Sequence, residues 1–433
     1  MKTISISNSI NYKSMKIRSL ILLIFLIPFY SVFAQLTLEV CQEKARHNYP
    51  MIKQFDLIQK SADYSLSNVG KSWLPQLSLS ARATYQSEAT SIILPAMGLN
   101  VALPRDQYQA VLEAGQTIWD GGVVVSQKKI IKANAALEKE KLEVELYTIK
   151  DRVNQMFFGL LLIDEQLIQN ETLQNELETN MNRVMAYMSN GVANQSDVDA
   201  VKVECLNNKQ RRLEMLVSAK SFKQMLGAMT GLQISENEKL EKPILRNTDF
   251  GNNIINRPEL KLFDSQLDLL TSQERLVHSG NLPKAGVFLQ GGVGNPGLNM
   301  FKTGFSTFYL GGLRLSWNFS GFYTQKNNLN ALKNTRNTVS LQRETFLYNN
   351  NLSILRQNNE IEKLSEQLKG DDEIINLRGN IKKASSVKVE NGTLTITDLL
   401  RDINAESMAK NQKSIHEIQL LMSISNLKYS TNN

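Results

Sequence analysis

The pattern in this sequence that most resembles a cofactor motif is a glycine-rich run. Residues Gly292 to Gly297 satisfy the spacing G-x-G-x-x-G. In a dinucleotide site such a run follows a strand, opens a helix and precedes, by about 20 residues, an acid that binds the ribose. Here a glycine- and aromatic-rich strand pattern follows, and no acid stands at that distance. The run therefore predicts a hairpin loop rather than a phosphate site.

Histidine and cysteine offer no better basis for chemistry. His47, His278 and His416 lie far apart without metal-ligand spacing, so satisfied or exposed side chains are favoured over a metal site. Cys41 and Cys205 fall on predicted helices. A disulfide between them is one alternative, but two buried helical thiols are favoured. Because no nucleophile can be paired with a base, we expect no enzyme, no metal and no cofactor.

Two short turns repeat the same polar residues at the same offsets. Each has a glycine, a hydroxyl residue five positions later, and then an aspartate. The two sets are Gly191, Ser196 and Asp197, and Gly392, Thr397 and Asp398. We expect the glycines to end one helix with left-handed backbone angles, the hydroxyls to cap the next helix, and the aspartates to suit its positive end. Arg401 follows Asp398 at i+3, which predicts an ion pair on one helical face.

Long helices must position these turns. Residues 105–242 contain no proline, and apolar residues recur in alternating steps of four and three. That seam comprises Leu142, Leu146, Ile149, Val153, Met156, Leu160, Ile163 and Leu167. A heptad seam requires a helical partner. A helix from Val123 to Met188 would be on the order of 100 Å long. The second half predicts a similar long helix, from about Phe322 to the 380s. These two long helices are called the rods.

Other segments alternate with a period of two, as strands do. Residues 76–86 and 313–320 each place apolar and polar side chains on opposite faces. We expect the apolar face to include Leu79, Ala83, Leu313 and Leu315, and the polar face to include Arg82 and Arg314. A half-buried soluble strand would show the same pattern. The rods favour the other interpretation, in which the apolar face contacts lipid and the two arginines face a barrel lumen.

The spacing of several motifs predicts that the chain is duplicated. Pro50 and Pro75 are separated by the same interval as Pro258 and Pro283. The strand-to-helix corner at Trp119–Gly122 has a counterpart at Phe319–Gly321. We therefore predict two tandem repeats of helix, strand, strand, long helix and helix, at residues 35–245 and 246–433. Their strands are expected at about 76–87, 107–119, 284–294 and 304–319, and their helical hairpin tips at about 189–197 and 387–398.

Residues 1–34 read as a secretory signal peptide. Lys16 and Arg18 precede an apolar run that is too short to span a bilayer, and Ala34 ends a small-residue cleavage site. Met15 is an alternative start. The segment carries four Lys and Arg and no acid, so the net charge of the rest falls from +7 to about +3. The basic composition is therefore largely a targeting signal, which argues against a nucleic-acid partner.

Four strands cannot close a barrel, and an open sheet edge is excluded from lipid because its backbone groups are unpaired. Several copies must therefore share one barrel. Three copies would give twelve strands, an even number within the range of outer-membrane barrels. The rods would continue this barrel as a periplasmic tube.

Taken together, the motifs resemble the TolC-like outer membrane efflux proteins over nearly the whole mature chain. The likeness rests on Leu36–Leu38, the Leu74-Pro75 pair, the Trp119–Gly122 corner, the Arg257–Leu260 run and the two glycine turns. It implies a mainly α fold with a small β part, a homotrimeric helical tunnel and a shared 12-stranded barrel. It also implies residence in the outer membrane of a Gram-negative bacterium. The function implied is an exit duct of a tripartite efflux or type I secretion system.

The resemblance also implies partners. These are outer-membrane lipid, a periplasmic adaptor protein and, through it, an inner-membrane RND or ABC-type transporter. In the family the hairpin tips dock the adaptor and form the tunnel entrance, a role that carries over to the two turns above. One departure affects closure of the entrance. Family members place a second aspartate where this chain has Arg401, and a basic residue where it has Leu394. A gate pair of Asp398 and Arg401 is a substitute.

The alternative from another class is a secreted coiled-coil structural or filament protein without transport activity. It explains the rods and the signal but leaves the two amphipathic hairpins unexplained.

Overall fold

The computed structural model describes residues 36–94, 99–244, 254–302 and 304–432. The predicted signal peptide and the predicted boundary at 245/246 lie outside these residues. The described chain is mainly helical with a small antiparallel sheet, which confirms the coarse fold class. Its helices are α1 Leu38–Asn48, α2 Gln54–Gly70, α3 Val123–Ser189, α4 Gln195–Thr230, α5 Pro258–Gly280, α6 Gly321–Glu390 and α7 Ile396–Thr431. Its strands are β1 Gln76–Tyr85, β2 Ser91–Leu94, β3 Leu99–Ala102, β4 Asp106–Trp119, β5 Lys284–Asn295 and β6 Ser306–Ser316.

Two very long helices dominate the structure. α3 has 67 residues and α6 has 70, so each is on the order of 100 Å long. Each turns at its far end into a return helix of 36 residues, α4 or α7. The predicted heptad seam of α3 is buried from Leu142 to Ile163 apart from the half-buried Met156. This seam packs against Leu226 of α4 and Ile418 of α7, because a period of 3.5 keeps one face toward a partner helix.

The corner between β4 and α3 is set by two glycines and an aspartate. Gly121 and Gly122 have φ of 72° and 87°, which only glycine adopts without strain. The buried Asp120 carboxylate accepts hydrogen bonds from the backbone N–H groups of Gly122 and Val124, at 2.8 and 2.6 Å. A Cβ on Gly121 would lie 2.7 Å from the Leu282 Cβ. The corner therefore tolerates neither a side chain nor another backbone conformation.

The strands form one four-stranded antiparallel sheet in the order β1-β4-β5-β6. A separate two-stranded ribbon, β2 with β3, occupies the segment between β1 and β4. The sequence interpretation counted four strands and missed the two strands of this ribbon. The ribbon lies in the longer inter-strand segment of the first half. The glycine run is also divided. Gly292 to Asn295 belong to β5, and only Pro296 and Gly297 lie in the hairpin loop.

The helices continue the strand order away from the sheet. Next to the sheet, α2 packs on α3, α3 on α5, and α5 on α6, which is the order of β1, β4, β5 and β6. Farther away, α4 packs on α3, α3 on α7, and α7 on α6. Beside the sheet and near the tips the chain is therefore a layer one element thick with the same two open edges, while midway along α3 the short helix α1 packs on both α3 and α4. One edge carries β1, α2 and α4, and the other carries β6 and α6.

Candidate functional site

The two faces of the four-stranded sheet have opposite character. The register aligns Leu79, Leu112 and Gly291 on one face, and Leu313 lies on the same face four residues along β6. Leu79 is 76% exposed and Leu313 is 84% exposed, so nothing in the described part of the chain covers this face. A contiguous exposed apolar surface of this kind marks contact with another protein or with lipid. The opposite face carries serine, threonine, glutamine and charged side chains.

On the polar face, charged side chains pair across strands. The Arg314 guanidinium lies 2.9 Å from a Glu113 carboxylate oxygen, and Gln290 donates to the other oxygen at 2.7 Å. Arg314 also lies over the Phe288 ring, 4.8 Å from its centroid. Arg82 has a longer contact, 3.4 Å to the side-chain oxygen of Gln109. Glu113 was missed at the sequence level, because nothing in one strand indicates which residue lies opposite.

The first hairpin tip lies between α3 and α4. Gly191 has φ of 72°, and the N–H of Val192 donates back to the Tyr187 carbonyl at 2.8 Å. Asn194, not Ser196, is the N-cap of α4, which corrects the predicted cap. The Asn194 side chain accepts from the Asp197 N–H at 3.1 Å, and the Asp197 carboxylate accepts from the Asn194 N–H at 3.0 Å. This reciprocal pair is a capping box.

The second tip, between α6 and α7, repeats this geometry. Gly392 has φ of 68°. Thr395, not Thr397, is the N-cap of α7, a second correction of the same kind. Its hydroxyl accepts from the Asp398 N–H at 3.1 Å and lies 2.6 Å from the Asp398 carboxylate. Thr397 is exposed beside it.

The corrected caps lead to a matched test. We expect Thr395→Ala to destabilise the first turn of α7 by about 0.5–2 kcal/mol, because it leaves the Asp398 N–H without its acceptor. Thr397→Ala should have a much smaller effect, since that side chain caps nothing. Hydrogen exchange of amides 396–399 measures the difference. Equal protection in the two variants would contradict the assignment.

Asp398 and Arg401 form the predicted pair on the surface of α7. Their carboxylate and guanidinium lie 3.2 Å apart, with the Arg401 side chain 71% exposed. An ion pair this exposed contributes little stability by itself. Leu394 packs against the apolar cluster beneath the tip. The arrangement leaves both charges available to another surface.

A second polar group, also missed at the sequence level, lies about three turns below the second tip. Lys382 of α6 contacts Glu406 of α7 and lies 2.6 Å from Glu176 of α3. Lys410 holds the other Glu406 oxygen at 2.9 Å. Burial by itself raises the pKa of Glu406, but the hydrogen bonds from the two lysines outweigh burial and lower it. The group therefore ties three helices together through charges.

The remaining candidate chemistry is structural. His416 is buried, with its Nδ1 2.7 Å from an Asp371 oxygen, as expected of a satisfied histidine. Cys41 and Cys205 are buried free thiols, and burial raises the pKa of Cys41 to about 12. Among the described residues, no cluster of three or more His, Cys, Asp or Glu side chains could hold a metal ion. No helix in that part of the chain combines the length and hydropathy that a membrane-spanning helix needs.

Comparison with known proteins agrees with the resemblance read from the sequence. Residues 42–232 match the family described as Outer membrane efflux protein. A comparison with curated protein sequences finds no match. Outer membrane efflux proteins are non-enzymatic transport ducts, which confirms the prediction that the chain is not an enzyme.

Solved structures share the fold over nearly the whole chain. The outer-membrane channel OprN is 12% identical, with a TM-score of 0.69 over 91% of this chain and 89% of that one. The outer membrane protein VceC from Vibrio cholerae is 13% identical, with a TM-score of 0.67 over 92% and 96%. The CmeC outer membrane channel from Campylobacter jejuni is 13% identical, with a TM-score of 0.65 over 91% and 85%. The predicted resemblance to TolC-like outer membrane efflux proteins is confirmed.

Proposed function

We propose that this protein is the outer-membrane exit duct of a tripartite efflux or secretion system. In this proposal, three copies form a 12-stranded barrel that is continued by a helical periplasmic tunnel. The duct receives substrates from an inner-membrane RND or ABC-type transporter through a periplasmic adaptor. The observation that carries the proposal is the single layer with an exposed apolar sheet face and two open edges. Such a layer is incomplete without copies of itself and a surrounding apolar medium.

The sheet edges support closure by copies of the same chain. β1 and β6 are the edge strands, and they run in opposite directions. A β6 edge can therefore pair with the β1 edge of another copy and continue the antiparallel alternation. A lipid-exposed edge is costly because its N–H and C=O groups have no partner. Three copies give twelve strands, within the range of known outer-membrane barrels.

The helix edges support the same closure. Asn208 of α4 contacts Gln174 of α3, and Lys382 of α6 contacts Glu176, two residues farther along the same helix. The two edge helices are therefore level with each other at this distance from the sheet. At this height each edge exposes large apolar side chains in helical steps of three, four or seven. They are Val203, Leu206, Leu213 and Val217 on α4, and Ile374, Leu377 and Ile381 on α6. Two exposed stripes with coiled-coil spacing are a self-complementary pair, α4 of one copy against α6 of the next.

The two tips lie at the ends of the rods opposite the sheet. In this proposal they face the periplasm, where Gly191, Ser196 and Asp197, together with Gly392, Thr397 and Asp398, dock the adaptor and line the entrance. The two predicted repeats, 35–245 and 246–433, then supply one hairpin tip each. Arg82 and Arg314 face the lumen, and the apolar sheet face contacts outer-membrane lipid.

Membrane extraction and crosslinking test the proposal. The protein should remain with outer membranes after an alkaline wash, and crosslinking in detergent should stop at the trimer. Purified trimers should open pores in a planar bilayer. A filament protein would be released by the wash and would form no pore. Release together with absent conductance would reject the exit duct.

Two leucines of β6 test which face meets lipid. Leu313 lies on the apolar face and Leu310 on the polar face of the same strand. Leu313→Arg should destabilise the assembled barrel by roughly 2–4 kcal/mol per chain near mid-membrane, whereas Leu310→Arg should be tolerated. Urea unfolding in lipid vesicles, with trimer yield as a second measurement, compares them. Equal losses for the two variants would overturn the assignment of faces.

The Asp398–Arg401 pair is proposed to hold the entrance closed. Asp398→Asn or Arg401→Gln should then raise ion conductance through purified trimers in a planar bilayer. The Lys369–Glu366 pair is an exposed i,i+3 pair of α6, so Lys369→Gln is a control that should leave conductance unchanged. Unchanged conductance in both tip variants would remove the gate while leaving the duct in place.

A further inference from the structure

The charges of the four-stranded sheet are distributed unequally between its faces. Its strands contain five charged residues, and the register places four of them on the polar face. These four are Arg82, Glu113, Lys284 and Arg314. The fifth, Asp106, lies on the opposite face at the first residue of β4. Three cations and one carboxylate therefore share the polar face.

That single carboxylate is already occupied. One Glu113 oxygen lies 2.9 Å from Arg314, and the other accepts from Gln290 at 2.7 Å. The stacking of Arg314 on Phe288 holds the guanidinium in this position. With both oxygens engaged, Glu113 cancels the charge of Arg314 and of no other cation.

The other two cations are not neutralised. Within the described residues, no carboxylate lies within ion-pair distance of Arg82 or Lys284, and both side chains are exposed. Arg82 has only its contact with the neutral Gln109. The polar face therefore carries a net charge of two positive units per chain.

These two cations lie near opposite ends of the sheet. Lys284 is the first residue of β5, beside the helices, while Arg82 is in register with Gln109 and Gly294. Ten residues of β5 separate Lys284 from Gly294, which is roughly 30 Å along the strand. Repeated in each copy around a closed barrel, the two positions would form two separate cationic rings.

We propose that Arg82 and Lys284 are specificity-determining residues that make the barrel lumen favour anionic solutes over cations. The inference rests on the proposed function, since it requires the polar face to line a closed lumen. Inside a narrow channel with low-dielectric walls, unpaired charges concentrate counter-ions strongly. The Glu113–Arg314 pair keeps the middle of the lumen neutral, so solutes meet positive charge near the two ends.

Reversal potentials of purified trimers in a planar bilayer, under a potassium chloride gradient, test this inference. Arg82→Gln and Lys284→Gln should each lower the chloride-to-potassium permeability ratio, and the double variant should lower it by about twofold or more. Glu113→Gln should raise the ratio because it releases the charge of Arg314. Asp106→Asn is the matched control from the opposite face and should leave the ratio unchanged.

Chemical rescue separates charge from folding. In Arg82→Cys and Lys284→Cys trimers, a cationic thiol reagent should restore the ratio and an anionic one should lower it further. The native thiols are buried and should not compete. Pores whose ratio is unchanged by every variant and reagent would overturn the inference and leave the exit duct standing. Failure of the unmodified protein to form pores would instead reject the duct and, with it, the selectivity.

Discussion

A bulky or charged side chain at Gly191 or Gly392 should abolish efflux while trimers still reach the outer membrane. Both glycines have left-handed angles, with φ of 72° and 68°. A Cβ at either position would meet no atom within 4 Å, so the side chain would project away from the chain without a clash. The cost within the protomer is therefore the backbone strain alone, about 1–2 kcal/mol. A coiled coil on the order of 100 Å long can absorb that cost.

The effect on docking should be far larger, because the tip is where the adaptor is proposed to bind. Gly191→Trp and Gly392→Glu would place a large or charged group into that interface. Asparagine tolerates left-handed angles, so Gly191→Asn and Gly392→Asn are matched controls with a small side chain. We expect the controls to retain most transport.

Drug or dye susceptibility of cells that produce each variant measures transport. Outer-membrane fractions probed for crosslinked trimer measure assembly. Loss of transport in the Trp and Glu variants, with normal trimer levels, is the expected result. Normal transport in these variants would remove the docking role from the tips, since two obstructed tips per chain could not then bind an adaptor. Loss of trimers in the asparagine controls would indicate a folding role instead.

The rods and the strand faces were predictable because each depends on a local period. Leu142 to Ile163 repeat every 3.5 residues, and Leu77 to Tyr85 alternate with polar neighbours. Such periods fix which side chains share a face before any contact is known. The positive φ of Gly191 and Gly392 was also predictable, since glycine after a long helical run commonly ends it.

The caps were misplaced because several residues near each tip have the chemistry to cap. Asn194, Ser196 and Asp197 lie within four positions, and all three can accept a backbone hydrogen bond. Only the backbone angles distinguish them. Asn194 is extended, with φ of −114° and ψ of 174°, and the helix begins at the next residue. The same ambiguity between Thr395 and Thr397 produced the second error.

Pairs between distant elements were not predictable at all. Glu113 and Arg314 are joined by strand order, and Lys382 and Glu176 by the packing of two rods. In its own stretch of sequence, each of these four residues has the pattern of an ordinary solvent-exposed charge. Only the three-dimensional arrangement shows that Glu113 neutralises one cation of the polar face, or that Lys382 lies between two carboxylates.

Lys382→Met should destabilise the association of α3, α6 and α7 by about 3–5 kcal/mol, toward the lower end because Glu176 is partly exposed. The substitution removes the cation between Glu176 and Glu406 and leaves the largely buried Glu406 with Lys410 alone. Lys369→Met is the matched control on the same helix. Its ion pair with Glu366 is exposed, so its loss should cost less than about 1 kcal/mol.

Thermal unfolding and hydrogen exchange of residues 376–410 measure both variants. The double variant Lys382→Met with Glu406→Leu should recover much of the loss, because apolar side chains replace the stranded charge. A single variant as stable as Lys369→Met would contradict the network. If the double variant were less stable than Lys382→Met alone, the loss of stability could not be attributed to an uncompensated Glu406 carboxylate.

The pH dependence provides an independent test, and its direction follows from the pKa shifts. The pKa of Glu406 is held below its ordinary value of 4.5, so its stabilisation is present above pH 4.5 and is lost as pH falls below that value. Burial lowers the pKa of Lys382, but hydrogen bonds to Glu176 and Glu406 raise it above its ordinary value of 10.5. That stabilisation is present below pH 10.5 and is lost at higher pH. The stability difference between the wild type and Lys382→Met should therefore be largest between pH 4.5 and 10.5 and should shrink on either side. A difference that does not shrink at all as pH falls below 4.5, down to the acid limit of folding, would show that Lys382 acts through packing rather than charge.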